Sequence, residues 1–264
     1  MLLRQDGRTV HCDLLGDSGP VVCLVHSLAA DGTMWAEQLP VLLAAGFRVL
    51  RIDLPGHGGS RALPGPYRME ELGAGLAGVL RALALPPVHY VGLSLGGMSG
   101  QALALDHPGL LRSIVICDAL PESLPDAAGI WGPRLAAVRA AGSVAPVAQA
   151  TIERWLTPEY RAAHPDRWRQ ILETIEATDP DGYCGCVEAI MHFSFVARLP
   201  GLAMPALVLC GEHDHAVPPA EGERIAALVP DGRFVAVAGA RHLPNVEKPA
   251  EFNALLLDWL AAQR

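Results

Sequence analysis

Ser94 stands in the pentapeptide Gly92-Leu-Ser-Leu-Gly96, just after the run His89-Tyr90-Val91 and just before the helix-forming run 98–104. A strand that turns sharply into a helix exposes the residue at its apex. Flanking glycines let the helix pack close beneath that strained residue. A serine hydroxyl is a poor nucleophile until an imidazole takes its proton, and the imidazole needs an acid to fix its tautomer. By itself the pentapeptide decides little. At average glycine and serine usage it arises by chance in roughly one chain in ten of this length. Partners for Ser94 must therefore come from the rest of the chain.

Those partners depend on the elements that carry them. Residues 21–25, Val-Val-Cys-Leu-Val, form a continuous apolar run, as expected of a strand covered on both faces in a parallel sheet. Further strands are expected over 47–54, 88–93, 111–119, 206–210 and 234–237, and 8–15 reads as an antiparallel edge strand. Helices are expected over 34–45, 70–85, 219–228 and 250–261. Alternation of this kind predicts an α/β fold with a mostly parallel sheet flanked by helices. Between 120 and 199 the rhythm breaks into helical patterns separated by Pro, Gly and Asp, with Trp131, Trp155, Trp168 and the patch His192-Phe-Ser-Phe195. The expected organisation is a core made of residues 1–119 and 200–264, with a helical cap, 120–199, inserted in it.

In a parallel α/β sheet, functional groups collect at the carboxyl ends of the strands. Ser94 lies at such an end, Asp214 follows the strand ending in Leu209-Cys-Gly211, and His242 follows the strand over 234–237. Asp118 also ends a strand and stands as the alternative acid. His26, His57, His213 and His215 lie near strand ends too. His57 is expected to structure its turn, and His213 and His215 to face solvent. The oxyanion of a tetrahedral intermediate needs prepositioned N–H donors. The backbone of Leu95, at a helix start, and that of Leu28, in the loop after 21–25, are the candidates. Ser27 is either a turn residue or one that orients the loop or the substrate.

Composition narrows the partners. The 264 residues are 51% hydrophobic and 18% charged, enough to bury one large α/β domain. A net charge of −8 without a basic run argues against nucleic acid or an anionic membrane surface. No apolar run reaches spanning length and the first residues lack a signal-peptide core, so a cytoplasmic protein is expected. Six cysteines sit mostly in apolar runs and read as small buried hydrophobes. Cys184-Gly-Cys186 has the wrong spacing for a zinc knuckle or a redox pair, so no metal is expected.

Over its whole length the chain resembles the α/β-hydrolase superfamily, and within it the 3-oxoadipate enol-lactonases. The general likeness lies in Gly92 to Gly97, Asp53 to Ser60, and Gly211-Glu-His-Asp214 with His242. Their order, Ser then Asp then His, is that of the superfamily. The narrower likeness lies in Ser27-Leu28, Gly65-Pro-Tyr67, Trp131-Gly-Pro-Arg134, Arg154-Trp-Leu-Thr-Pro-Glu-Tyr160, Thr178 to Tyr183 and His242 to Pro249. His26, Asp53-Leu-Pro-Gly56 and Met191 to Phe195 differ from that family's pattern. The resemblance implies a serine hydrolase that opens a small lactone through an acyl-enzyme, needing no metal or organic cofactor, in aromatic catabolism. Ser94 is then the nucleophile, His242 the base and Asp214 its orienting acid. A carboxylate-bearing lactone calls for a cation in the cap. Arg134, beside Trp131, is the candidate, with a solvated helix residue as the other reading. Rival readings are a carboxylesterase of small aromatic or branched esters, a C–C bond hydrolase of ring-cleavage products, and a non-catalytic receptor. The expected partner is a small ester or lactone. The sequence leaves oligomeric state open.

Overall fold

The computed structural model describes residues 1–5 and 7–263. Its strands are β1 (Leu2–Gln5), β2 (Arg8–Leu15), β3 (Val21–Val25), β4 (Arg48–Ile52), β5 (Val88–Leu93), β6 (Leu111–Cys117), β7 (Ala206–Gly211) and β8 (Gly232–Val237). They form one sheet in the order β1-β2-β4-β3-β5-β6-β7-β8. β2 pairs antiparallel with β1 and β4, and the pairs from β4 to β8 are parallel. The apolar runs explain this arrangement. β3, β5 and β7 are buried at every position, whereas β8, on the sheet edge, is half-exposed. Between β3 and β5 the direction of winding reverses, which opens the crevice at the carboxyl ends where such sheets carry their sites.

Before the cap come α1 (Leu39–Ala44), α2 (Met69–Ala82) and α3 (Leu95–Asp106). Between β6 and β7 lie α4 (Ala127–Ala141), α5 (Ala145–Trp155), α6 (Pro158–Ala163), α7 (Pro165–Ala177) and α8 (Pro180–Met191). The fold closes with α9 (Pro219–Leu228), α10 (Pro244–Glu247) and α11 (Pro249–Ala262). Helices α5 to α8 each carry a proline in the first turn, where its missing N–H leaves no bond unmade. Asp179 then caps α8 by accepting from the N–H groups of Asp181 and Gly182. No described helix is long and apolar enough to cross a membrane, and the six cysteines are free and buried.

Two expectations need correction. Residues 8–15 are not the edge, because Leu2–Gln5 pairs outside them. The helix expected over 34–45 is broken into a 3₁₀ turn, Gly32–Trp35, and α1. Pro40 explains the break. It lacks an N–H, and its ring clashes with the carbonyl four residues back, so it is tolerated only in the first turn of α1.

The helices between β6 and β7 meet the core through close glycine contacts and through ion pairs, among them Arg167–Glu37. Gly182 lies so close to Gly56 that a Cβ on either would fall 2.4 Å from the other's Cα. A Cβ on Gly185 would fall 2.6 Å from the Tyr67 ring. On α7, Arg167 Nε donates to Glu37 Oε1 at 2.8 Å, and its Nη2 to the Thr33 carbonyl at 3.1 Å. Gly182→Ala should therefore push α8 off the Pro55–Gly56 turn. The expected loss is about 1–3 kcal/mol in urea unfolding, with far-UV circular dichroism unchanged below the transition. An unaltered midpoint would show that the contact yields freely.

Candidate active site

Ser94 sits between β5 and α3 with φ 54° and ψ −112°, a left-handed backbone that an L-residue adopts only when its surroundings impose it. The imposing contacts are visible. Ser94 N–H donates to the Cys117 carbonyl at 2.8 Å, and Gly96 N–H to the His26 carbonyl at 3.1 Å. The Tyr90 hydroxyl donates to the Gly96 carbonyl at 2.6 Å. Glycine is required beneath the serine, since a Cβ at Gly96 would stand 2.2 Å from the Val25 carbonyl oxygen. Leu95 opens α3, where the first N–H groups have no intrahelical acceptor.

The loop after β3 is held by two buried imidazoles. His26 Nδ1 lies 2.7 Å from the Ser27 carbonyl, and its Nε2 accepts from Leu54 N–H at 2.9 Å. His57 Nδ1 lies 2.9 Å from the Pro55 carbonyl, and its Nε2 accepts from Ala29 N–H at 2.9 Å. Each ring thus has an acceptor opposite Nδ1 and a donor opposite Nε2, which assigns the neutral Nδ1–H tautomer. Burial, with His26 adding to it, drops His57 to about 3. Its bond fixes Ala29, itself at φ 59°. Leu28 lines the cavity above Ser94, and among the described residues its N–H meets no acceptor. Ser27 does not fit the expectation of a substrate contact. It is fully buried, its hydroxyl donates to the Leu28 carbonyl at 3.4 Å, and it shapes the loop from behind.

Behind the cavity, His242 Nδ1 and Asp214 Oδ2 are 2.7 Å apart, with side chains 3% and 0% exposed. Asp214 Oδ1 accepts from Ala216 N–H at 2.7 Å and Val217 N–H at 3.1 Å. The His242 loop is tied to the cap through the buried Glu247. Its Oε2 accepts from Arg241 N–H and its Oε1 from Thr157 N–H, each at 2.5 Å. The Arg241 guanidinium donates to the Glu153 and Leu156 carbonyls at 2.7 and 3.1 Å. Asp118, Asp214 and His242 each place a ligand atom within 4.8 Å of the others. Among the described residues this is the one cluster spaced for a metal ion. Asp214 and His242 already engage each other, and no further His, Cys, Asp or Glu joins the set.

Ser94, His242 and Leu28 line a cavity of about 310 Å³ whose other wall comes from the cap. Trp131 and Arg134 of α4 line it, with the Arg134 guanidinium stacked 4.7 Å over the Trp131 ring. Arg154 of α5 and Tyr183 of α8 line it too, and sequence reasoning assigned neither a place there. Arg154 Nη2 donates to Thr151 Oγ1 at 3.4 Å. Burial lowers both arginines from their ordinary value, and Arg134 lowers Arg154 further. Neither has an acidic partner among the described residues. His213 and His215 are both exposed, and His215 also lines the cavity. Helical spacing could have pointed to Arg154, which stands three residues after Thr151, another residue of the cavity wall. Which turn of α5 faces Ser94 depends on tertiary packing.

Such an elbow, followed in the chain by an acid and a histidine at later strand ends, defines a hydrolase-type site on an α/β sheet. Residues 20–249 match the alpha/beta hydrolase fold family, and the chain belongs to it. Within that family it is similar to 3-oxoadipate enol-lactonase 2 of Acinetobacter baylyi, 29% identical over 89% of this chain and 86% of that one. It is also similar to the RutD protein of Variovorax paradoxus, named for carbamate hydrolysis, 32% identical over 96% of each chain. The crystal structure of the enol-lactonase from Burkholderia xenovorans LB400 superposes with a TM-score of 0.94, at 32% identity, covering 99% of this chain and 100% of that one.

A neutral buried His57 makes stability depend on pH. Its pKa falls from 6.5 to about 3 on folding, so the unfolded chain binds the extra proton. Its contribution is present above pH 6.5 and is lost as pH falls toward 3. Compared with His57→Gln, the wild type should lose about 1.4 kcal/mol more per pH unit between pH 6 and 5. The check is urea unfolding of both proteins. Parallel curves would mean that His57 takes up protons while folded.

Proposed function

We propose that this protein is a serine hydrolase that opens a small carboxylate-bearing lactone of the 3-oxoadipate enol-lactone type. The observation that carries this reading is the pair of half-buried guanidiniums, Arg134 and Arg154, lining the same cavity as Ser94 and His242 without an acidic partner among the described residues. A partly desolvated cation loses solvation that an anion can restore. A substrate carboxylate would meet it and would also orient the ring toward Ser94.

The chemistry follows from the site. Ser94 Oγ attacks the lactone carbonyl while His242 Nε2 takes its proton. Asp214, on Nδ1, holds the ring and offsets the charge that develops on it. The oxyanion lies between the N–H groups of Leu95 and Leu28, which need no reorganisation as charge develops. On collapse the acyl–oxygen bond of the ring breaks, and His242 returns its proton to the departing enol oxygen. A water molecule, deprotonated by His242, then attacks the acyl carbonyl, the acyl–Oγ bond breaks, and His242 returns the proton to Ser94 Oγ. The enol formed by ring opening tautomerises to the 3-oxo acid. Similarity to enol-lactonases over nearly the whole chain supports this choice among esters. A second reading, carbamate hydrolysis, is favoured by the equally extensive likeness to proteins named for it, and an anionic carbamate would use the same arginines.

The deciding experiment assays 3-oxoadipate enol-lactone, a carbamate, a neutral p-nitrophenyl ester and a vinylogous diketone side by side. The lactone should give the highest kcat/KM. Preference for the carbamate or the neutral ester would overturn the lactone reading, and turnover of the diketone would indicate C–C bond cleavage instead. Ser94→Ala should lower kcat by about 10⁴-fold or more, and near-normal activity would remove Ser94 from the mechanism. Arg134→Ala should raise KM for the carboxylate lactone about 10- to 100-fold, the size of a charged hydrogen bond, and spare the neutral ester. Equal effects on both substrates would refute the anchor.

A further inference from the structure

Asp118 is the first residue past β6, at φ 45°. Its N–H donates to the Leu209 carbonyl at 2.9 Å, and its Oδ1 accepts from Gly211 N–H at 2.8 Å. Its side chain is fully buried, and Oδ2 meets no donor. The groups that face it are the Asp214 carboxylate and the His242 ring, with the Glu247 carboxylate of α10 and the thiols of Cys117 and Cys210 nearby. Two acceptor-only carboxylates this close repel, and a single proton between them turns the repulsion into a hydrogen bond. The donors decide where that proton resides. Asp214 faces three N–H groups, from His242, Ala216 and Val217, whereas Asp118 faces one. Burial, reinforced by the Asp214 charge, also holds the Asp118 carboxyl well above the usual carboxylate range.

We propose that Asp118 is a neutral carboxylic acid whose Oδ2–H donates to the Asp214 carboxylate, which makes it a positioning residue for the Asp214–His242 pair. This assignment rests on the roles given to Ser94, Asp214 and His242 above. A neutral Asp118 places no second negative charge beside His242, and its hydrogen bond holds the Asp214 carboxylate in one orientation. An asparagine there would keep both contacts, with its amide N–H toward Asp214 and its oxygen toward Gly211 N–H. An alanine would keep neither.

The test compares Asp118→Asn, Asp118→Ala and the wild type on the preferred ester or lactone across pH. In Asp118→Asn, kcat/KM should stay within about threefold of wild type, and the acid limb set by His242 should not move. Removing an ionised carboxylate from this distance would instead lower that limb by about one pH unit or more, and such a shift overturns the proposal. Asp118→Ala should lose about 10²-fold in kcat at unchanged KM, as expected of a misplaced catalytic group. Recovery of that loss by asparagine separates positioning from a carboxylate that must be charged, and a loss in Asp118→Asn as large as in Asp214→Asn would make Asp118 the acid instead. Carbon-13 NMR of aspartate-labelled wild type gives a readout independent of turnover. One carboxyl carbon should remain at its protonated position at pH 7, assigned by its loss in Asp118→Asn. A spectrum with every aspartate ionised refutes the proposal even if no ester or lactone is hydrolysed, an outcome that would fail the functional reading alone.

Discussion

The site depends on how closely α3 can approach β3 and β5. At Gly96 no space remains for a Cβ against the Val25 carbonyl, and this contact lets the helix start directly beneath the sheet. Ser94 then has no relaxed conformation to occupy. Its backbone is held in a left-handed turn by bonds to the neighbouring strand end and to the helix it opens. Strain of about 1–3 kcal/mol persists at such a residue only because several contacts over-determine it. The Gly96 N–H to His26 carbonyl bond also ties the start of α3 to the loop after β3. The elbow and that loop therefore form one piece of packed backbone.

A second constraint joins chemistry to the cap. Glu247 accepts N–H groups from Arg241, beside His242, and from Thr157, at the start of α6. Arg241 reaches across to the end of α5. The loop carrying His242 is thus held by the same cap helix that supplies Arg154 and Trp155 to the cavity. The cap is set against the core from the other side by the Gly56–Gly182 contact and the Arg167–Glu37 pair. A shift of α5 would move Arg154 and the His242 loop together.

The strands before Ser94 and Asp214 could be read from the chain because each is a short apolar run, by which a buried parallel strand advertises itself, whereas His242 follows the half-exposed edge strand β8. The helical stretch between β6 and β7 was legible for the converse reason, a long gap without strand-like sequence. Other features left no local mark. Leu2–Gln5 is too short and mixed to read as a strand, and pairing with β2 alone makes it one. Pro40 was visible, but whether it ends a helix or begins one depends on the turn before it. His57 was legible as a residue that structures its turn, but its bond to Ala29 was not, and nothing around Glu247 announces a buried carboxylate that reaches Thr157. Arg154 shows the limit most clearly. Its residue type suits an anion, but only the rotation of α5 turns it toward Ser94.

The place where the cap enters has one more consequence. The chain leaves the sheet after Cys117, at the carboxyl end of β6, and returns at Ala206, the amino end of the parallel β7, whose register partner on β6 is Ile114. Closing a loop between two fixed points costs free energy that grows only slowly with loop length. The sheet therefore tolerates a large insertion there with little change in its own stability. Ser94 and its oxyanion loop belong to the strands, while the walls that select a substrate belong to the excursion. Reaction and selectivity sit on parts of the chain that can change at different rates, and new substrates become accessible by rebuilding the excursion while the strained serine stays as it is.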